Sequence, residues 1–199
     1  MHKHVRSTLI VSSLLAMFAA VPSPAFAQSN GGGLGIGVLV GPLFDKTASD
    51  DSTFSGKTGM QFSLFLGGNR SGVIGVATEV TLQRRKSDFE GDTLTFTTLQ
   101  VPLFLRINVG AHSASGPRIY IKAGPAVDFV LSAQSELFGD IKETVNVFQL
   151  DLIGGAGVEV NRFIIEGRYI QGIRSINEDV TIESIRTRAF ALLFGIRFN

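Results

Sequence analysis

The amino-acid sequence predicts an all-β protein, an eight-stranded antiparallel up-and-down β-barrel that spans a membrane. The C-terminal segment carries the clearest signal, because apolar residues occupy every second position of it: Phe190, Leu192, Phe194, Ile196 and Phe198. A period of two places these side chains on one face of a β-strand. A wholly apolar strand face is typical of a membrane barrel, since lipid covers that face and closure of the sheet leaves no free edge.

Composition is the second observation. Hydrophobic residues make up 44% of the chain, yet no apolar run after residue 27 approaches the ~20 residues that a membrane-spanning helix needs. Lipid-facing positions that alternate with polar ones produce this combination. The first 27 residues hold two of the 18 basic residues and none of the 17 acidic ones, so the remainder carries a net charge near −1. This balance gives no support for nucleic-acid binding, which calls for a basic surface.

The first 27 residues are predicted to be a secretory signal peptide that is cleaved between Ala27 and Gln28. They begin with basic residues, continue with the apolar stretch Leu9–Val21 and end in a small-x-small tripeptide. The apolar stretch is shorter than a membrane-spanning helix, which disfavours an anchor. We therefore expect residues 28–199 to form one exported domain. The chain has no cysteine, which excludes disulfides.

Eight segments alternate in the same way, at lengths near ten residues that suit tilted strands crossing a bilayer. The predicted strands are Leu34–Phe44, Gly59–Gly67, Val73–Arg84, Phe96–Val109, Arg118–Leu131, Val147–Val160, Phe163–Arg174 and the terminal segment. In chain order, the apolar faces of the first seven are formed by Leu34, Ile36, Val38 and Val40; Met60, Phe62, Leu64 and Leu66; Ile74, Val76, Thr78, Val80 and Leu82; Leu99, Val101, Leu103, Leu105 and Ile107; Ile119, Ile121, Val127 and Phe129; Leu150, Leu152, Ala156 and Val158; and Phe163, Ile165, Tyr169 and Ile173.

The connections between the predicted strands alternate in length. The long polar loops are Asp45–Lys57, Lys86–Thr95, Ser132–Asn146 and Ser175–Thr187, and the short links are Gly68–Gly72, Gly110–Pro117 and Asn161–Arg162. Long loops at one end and short turns at the other are typical of outer-membrane barrels. In this arrangement both termini lie on the periplasmic side, together with the short turns.

The link Asn161–Arg162 predicts a two-residue hairpin turn, which fixes the register of the strands on either side of it. Counting back from the turn predicts four cross-strand pairs: Val160–Phe163, Gly157–Glu166, Gly155–Arg168 and Asp151–Gly172. Glycine opposite a long charged side chain suits the narrow lumen of an eight-stranded barrel, which has room only for side chains.

Pro102 and Pro125 lie inside predicted strands, where each removes a donor from the hydrogen-bond ladder. Both lie about eight residues from the link Gly110–Pro117. We therefore expect them at similar heights on neighbouring strands, with a local bulge or bend there, towards the loop side. We interpret this irregularity as a feature that shapes the fold.

The faces opposite the apolar ones carry charged residues that we expect to line the lumen. Unpaired charges in a low-dielectric interior are costly, so these residues should form a mutually paired network. The network could be a structural plug, or a gated narrow conduit in which a salt bridge changes partner. The predicted members are Glu79, Arg106, Lys122, Asp128, Asp151, Glu159, Glu166, Arg168 and Arg197.

Five motifs occur in order along the predicted strands: Leu99–Leu103, Ala123–Pro125, Gly154–Glu159, Glu166–Gly172 and the terminal Leu-Leu-Phe-Gly-Ile-Arg-Phe. In these motifs the chain resembles the outer-membrane β-barrel domain of the porin/PorT-like family of Gram-negative bacteria. The resemblance implies an eight-stranded barrel that the outer-membrane assembly machinery inserts, with no catalytic residues. The chain differs from the family pattern in ending on Asn199 rather than an aromatic residue. It has no Trp, so an aromatic belt must be built from Phe.

An enzyme is a rival class, because some small barrels cleave lipid acyl chains with Ser, His and acidic residues. After signal cleavage His112 is the only histidine, and it lies in a predicted short link on the periplasmic side. A histidine base near the loops is missing, so we expect no catalytic residues.

The loop residues Asp45, Asp50 and Asp51 lack the spacing of a calcium loop. The glycines of residues 31–37 begin a strand, whereas a phosphate-binding loop precedes a helix. We therefore expect no metal and no cofactor. We expect the barrel to be a monomer that contacts outer-membrane lipid and lipopolysaccharide. We expect its loops to bind an envelope or extracellular partner, whose identity the sequence does not give.

A secreted, soluble lipid-binding barrel is the third hypothesis. Such a barrel also alternates, but it turns its apolar face inward around the ligand and its charged face outward. The period of two does not by itself say which face is outside. Glycine and charge share one face here, and the terminal strand carries a row of phenylalanines, which favours lipid on the outside.

Overall fold

A computed structural model describes residues 35–45, 54–68, 72–89, 92–109, 116–135, 139–140, 148–173 and 188–198. The predicted signal peptide and its cleavage site, Ala27 and Gln28, lie outside these residues. The strands are β1 (Ile36–Asp45), β2 (Phe54–Gly67), β3 (Ile74–Phe89), β4 (Asp92–Val109), β5 (Arg118–Ser135), β6 (Gly139–Asp140), β7 (Phe148–Val160), β8 (Phe163–Gly172) and β9 (Arg188–Arg197). No helix in the described part of the chain is long and apolar enough to cross a membrane.

The strands close into a barrel. Consecutive strands pair antiparallel from β1 to β5 and from β7 to β9, β5 pairs with β7, and β1 pairs with β9, so the sheet has no open end. The two-residue β6 pairs only with the end of β5, and β7 takes the next place in the wall. Eight strands therefore form the wall, which confirms the predicted fold class.

The turn between β7 and β8 has the predicted register. All four predicted pairs are Cα partners in the ladder, from Val160 with Phe163 to Asp151 with Gly172. Asn161 has a φ of 56°, a left-handed conformation that two-residue hairpin turns need and that Asn tolerates. We call the barrel end that contains this turn the turn end, and the opposite end the loop end.

The connection between β3 and β4 differs from the prediction. The sequence predicts a long loop at Lys86–Thr95, but the ladder continues to the pair Phe89 with Asp92. The apolar alternation ends at Leu82 because Arg84 and Lys86 take the outward positions beyond it. Backbone hydrogen bonds do not depend on hydropathy, so the two strands stay paired beyond the apolar segment.

The two prolines lie at similar heights, as predicted, because Pro102 is the Cα partner of Ala126, but neither produces a bulge at its own position. The register of β4 against β5 is the same on both sides of Pro102, and that of β5 against β7 is unbroken at Pro125. Pairing is instead interrupted on one side of each strand: β4 loses pairs with β3 near Pro102, and β5 loses pairs with β4 near Pro125. The register between β4 and β5 does shift, but at Thr97/Thr98 of β4, which lie closer to the loop end than Pro102 does. A gap in the pairing with one neighbouring strand accommodates the backbone N–H that proline lacks, so no bulge residue is needed there.

The outer wall is apolar and the interior is polar. Phe190, Phe194 and Phe198 are 46%, 49% and 55% exposed, whereas Glu166 and Arg168 are 1% and 0% exposed. This is the opposite of the arrangement in a soluble lipid-binding barrel, so that hypothesis is wrong for this fold.

Phenylalanine supplies most of the exposed aromatic rings of the outer wall. Near the loop end Phe44 stacks on Phe190, with ring centroids 6.5 Å apart, and Phe129 meets Phe148 edge to face at 5.9 Å. Tyr169 is also exposed on this wall. The aromatic surface therefore has few polar tips, as the composition predicts.

The glycines of β7 provide a test of lumen packing. A Cβ atom on Gly157 would lie 2.5 Å from the Tyr120 ring and 2.9 Å from the carbonyl oxygen of Ile165, whereas a Cβ atom on Gly154 would meet nothing within 4 Å. We expect Gly157→Ala to lower the free energy of unfolding by about 1–3 kcal/mol, the usual cost of overpacking. Urea unfolding of the refolded protein in lipid vesicles measures this difference.

The matched control is Gly154→Ala, on the same strand with an outward-facing Cβ. It should change the free energy of unfolding by less than about 0.5 kcal/mol. Equal destabilisation by the two substitutions would contradict the packing of the lumen described above.

Candidate functional site

The candidate site is the charged interior of the barrel. Each strand turns every second side chain inward, and eight strands enclose a space that side chains alone can fill. All nine residues of the predicted network lie there, and none is more than 6% exposed. They fall into three layers along the barrel axis, which we name the middle, turn-end and loop-end layers.

The middle layer is a cluster of two carboxylates and two cations. The Lys122 Nζ atom lies 2.6 Å from Glu79 Oε1 and 2.8 Å from Glu166 Oε2. The Arg168 Nη2 atom lies 2.9 Å from Glu79 Oε2 and 2.6 Å from Glu166 Oε1. Each cation therefore bridges both carboxylates, and the layer is electrically neutral. This pairing offsets the desolvation cost of four buried charges.

The sequence of β7 makes room for this layer. Gly155 is the Cα partner of Lys122 on β5 and of Arg168 on β8. Two residues further, Gly157 lies between Tyr120 and Glu166 in the same way. Each of these glycines thus lies between two long inward side chains. Because glycine has no side chain, the two long side chains can meet in the narrow lumen.

Aromatic rings complete the middle layer. The Tyr120 hydroxyl donates a hydrogen bond of 2.6 Å to Glu166 Oε2. The Lys122 ammonium lies 4.4 Å, and the Arg168 guanidinium 5.4 Å, from the centroid of the Phe104 ring. Both distances allow cation–π attraction, which is stronger in a desolvated site.

The turn-end layer is centred on Glu159. Arg106 and Arg197 each donate from Nη2 to Glu159 Oε2 at 3.1 Å, and the Arg197 Nε atom lies 2.9 Å from Glu159 Oε1. Arg106 also donates to the Asn108 side-chain oxygen at 3.0 Å. The layer connects to the middle layer through Tyr120, since the Arg106 guanidinium lies 3.8 Å from the centroid of that ring.

The loop-end layer contains two aspartates and one arginine. The Arg85 Nη2 atom lies 3.8 Å from Asp128 Oδ2 and 3.7 Å from Asp151 Oδ2. Glutamine side chains connect these groups: Gln100 donates to Asp151 Oδ2 at 3.1 Å, and Arg85 donates to Gln83 Oε1 at 2.8 Å. The ion pairs here are looser than those of the middle layer.

Two features were not predicted from the sequence. One is that Arg85 belongs to the charged network, and the other is that Tyr120 donates a hydrogen bond to Glu166. Arg85 was missed because the third strand was expected to end at Arg84. The alternation that turns Glu79 inward also turns Arg85 inward once the strand is extended. The alternation of β5 turns Tyr120 inward, but its hydrogen bond joins residues 46 positions apart, which no local pattern indicates.

Little free volume remains in the middle of the barrel. A cavity beside Glu79, Lys122 and Glu166 leaves about 10 Å³ for the centres of water molecules, which is about the room that one water needs. Within the described residues, no group of three or more His, Cys, Asp or Glu side chains could hold a metal ion. The described interior is therefore a packed ion-pair core.

A closed antiparallel barrel with an apolar outer wall and a charged, packed interior is a membrane β-barrel. A comparison with protein families agrees: residues 26–178 match the model described as the outer membrane protein beta-barrel domain. The chain belongs to this family, which places it in the outer membrane. A comparison with curated proteins found no match.

Solved structures show the same fold at low sequence identity. The outer membrane enzyme PagL is 12% identical, with 81% of this chain and 98% of that one covered and a TM-score of 0.51. Neisserial surface protein A is 14% identical, with 85% and 100% covered and a TM-score of 0.50. OprG from Pseudomonas aeruginosa is 11% identical, with 84% and 97% covered and a TM-score of 0.49. The similarities to PagL and to Neisserial surface protein A establish the fold alone.

The middle layer predicts a large effect of Arg168→Gln. The substitution leaves Glu79 and Glu166 sharing a single cation, and breaking a buried ion pair typically costs about 3–5 kcal/mol. We expect the free energy of unfolding, measured by urea titration in lipid vesicles, to fall by about 3 kcal/mol or more.

Arg162→Gln is the matched control, because Arg162 is an exposed residue of the β7–β8 turn. It should change the free energy of unfolding by less than about 0.5 kcal/mol. If Arg168→Gln were as mild as the control, the ion pairs of the middle layer would contribute little to stability.

Proposed function

We propose that the protein is a structural or binding component of the outer membrane, in which the barrel is a closed scaffold and the loops carry the function. The packed middle layer is the observation that supports this proposal. Two bridging cations, two carboxylates and the Tyr120 ring fill the lumen at one height. A solute would have to break these contacts in order to pass.

The proposed orientation puts the loop end at the cell surface and both termini in the periplasm. The two-residue turn between β7 and β8 supports it, because short turns face the periplasm in such barrels. The predicted loops Asp45–Lys57, Ser132–Asn146 and Ser175–Thr187 lie mostly outside the described residues. Their partner is proposed to be an envelope or extracellular molecule, and the barrel is proposed to act as a monomer that the outer-membrane assembly machinery inserts.

A narrow conduit for ions or small solutes is the second candidate, and one observation favours it. Lys122 and Arg168 each contact the same two carboxylates, Glu79 and Glu166. Either cation could therefore leave one carboxylate and keep the other as a partner. Such an exchange avoids an unpaired buried charge, which is the main obstacle to opening a salt-bridged lumen.

Catalysis is not part of the proposal. The chain has three histidines, of which His112 is the only one after the predicted signal peptide. It falls between β4 and β5 in the sequence, outside the described residues. PagL is described as an enzyme, but at 12% identity that description stays with PagL.

Planar-bilayer recording tests the closed scaffold. We expect the refolded wild-type protein to give no steady single-channel current, because the middle layer fills the lumen. The double variant Glu166→Ala/Arg168→Ala removes one anion and one cation from the layer and should conduct. The lumen keeps its charge balance in this variant, which limits the loss of stability.

The control variant is Ile165→Ala/Tyr169→Ala, which shortens two outward-facing side chains of the same strand. It should be as silent as the wild type. Steady conductance by the wild type would contradict the closed scaffold and favour the conduit, and silence of Glu166→Ala/Arg168→Ala would show that other residues close the lumen.

A further inference from the structure

The apolar band of the outer wall is tall on one face of the barrel and short on the opposite face. Around the closed wall, β2 and β7 are separated by three strands in either direction, so these two strands lie opposite each other. The outward side chains of β2 and of its neighbours β1 and β3 differ from those of β5 and β7 in the length of the apolar run.

The tall face is formed by β5 and β7. Every outward residue of β7 is apolar, from Phe148 near the loop end to Val160 at the turn. The outward residues of β5 are apolar from Ile119 to Leu131, and the residues at the ends of both runs are exposed. Each run has twelve residue steps. At ~3.3 Å per step and a strand tilt of ~40°, such a run rises about 30 Å along the barrel axis.

The short face is formed by β1, β2 and β3. The outward apolar run of β2 reaches only from Met60 to Leu66, and the next outward residue towards the loop end is Thr58. The run of β3 extends from Ile74 to Leu82 and that of β1 from Ile36 to Phe44. These runs have six or eight steps, so they rise about 15–20 Å.

Polar side chains end the short band while the strands continue. The ladder of β2 and β3 extends beyond the band to the pair Lys57 with Lys86, and both Thr58 and Arg84 are exposed there. The long Arg84 side chain can bring its charge towards the headgroups, but the Thr58 hydroxyl has no such reach. The edge of the hydrocarbon on this face therefore lies just above Met60.

One hydroxyl lies within the short band, and it needs no water. Thr78 is an outward residue of β3, and its Oγ1 atom donates to the carbonyl oxygen of Pro102 at 2.9 Å. A hydroxyl that is paired within the wall is compatible with surrounding hydrocarbon. Thr78 therefore does not shorten the band further.

Tilting of the whole barrel does not remove the difference between the faces. A tilt raises one face and lowers the other, but it scales the heights of both bands by the same factor. The apolar band of outer-membrane barrels is typically about 25 Å tall, which is less than the tall face and more than the short one. Changing the thickness of the adjacent bilayer costs little per Å, whereas burying unpaired polar groups in hydrocarbon is expensive.

We propose that the β1–β2–β3 face is a membrane-thinning surface. Phospholipids beside it shorten their hydrocarbon layer to match the short band, so the bilayer is about 10 Å thinner there than beside the β5–β7 face. The ligand of this surface is the bilayer itself, with compressed acyl chains. The inference is independent of which end faces outward and of whether the lumen conducts, so it goes beyond the proposed function.

Depth-dependent fluorescence quenching tests the thinning. The chain has no tryptophan, so one introduced Trp marks one end of one band. Met60→Trp and Leu66→Trp mark the two ends on β2, and Phe148→Trp and Val160→Trp mark those on β7. Phosphatidylcholine with bromine at different acyl-chain positions reports the depth of each Trp below the local headgroups. We expect all four at the same shallow depth within about 3 Å, because each band end meets headgroups.

A bilayer of uniform thickness predicts a different pattern. Both Trp residues on β2 would then lie about 5 Å deeper than both on β7, and this result would overturn the proposal. A tilted barrel in a uniform bilayer would make the two Trp residues of one strand differ, with Met60→Trp shallow and Leu66→Trp deep or the reverse. That result would overturn the proposal as well.

The double variant Thr58→Leu/Arg84→Leu tests the cause of the thinning. It lengthens the band by one outward position on β2 and on β3, so Met60→Trp should move about 5 Å deeper while Phe148→Trp keeps its depth. Val80→Leu, an apolar exchange within the same face, is the matched control and should shift neither. An unchanged depth of Met60→Trp in the double variant would contradict the proposal, because the polar residues would then not set the thickness.

Insertion is scored separately for every variant, since folded barrels migrate differently from unfolded chains in unheated gels. If the double variant does not insert, the four Trp reporters in the otherwise unchanged chain still decide the proposal. A barrel that inserts and stays silent in bilayer recordings, but shows the depths of a uniform bilayer, overturns the thinning and leaves the closed scaffold intact.

Discussion

The pairing of buried charges across a narrow lumen is the constraint on which the rest of the structure depends. Eight strands enclose too little space for water to solvate four ions, so each ion must find its partner among the side chains opposite it. Lys122 and Arg168 satisfy this requirement by bridging Glu79 and Glu166. Strand number and stagger set the diameter of the barrel, and the glycines of β7 leave room within it for these groups to meet.

The same alternation that builds the lumen builds the outer wall. Along each strand, one residue contacts lipid and the next one contacts the interior, so the same backbone geometry produces both an apolar and a polar surface. The buried ion pairs follow from this division, because the inward carboxylates Glu79 and Glu166 are paired with inward cations.

Sequence reasoning could predict whatever depends on local periodicity. The strand count, the facing of the side chains and the β7–β8 register were predicted because alternation and a two-residue turn determine them. The β3–β4 hairpin was not, because its strands extend past the apolar segment and lose the signal that marks them. The choice of ion-pair partners was also beyond the sequence: Arg168 meets Glu79 across 89 residues of chain. Such a contact depends on barrel diameter and strand stagger, which emerge only on closure.

The assignment of faces is the central claim, and fluorescence quenching tests it directly. The chain has no tryptophan, so a single Trp reports on one position. In bilayers whose acyl chains carry bromine, Phe194→Trp on the outer wall should be strongly quenched, and Phe65→Trp, which borders the lumen cavity, should be quenched much less. Stronger quenching of Trp at position 65 than at 194 would contradict the account, because lipid would then meet the face that carries the charges.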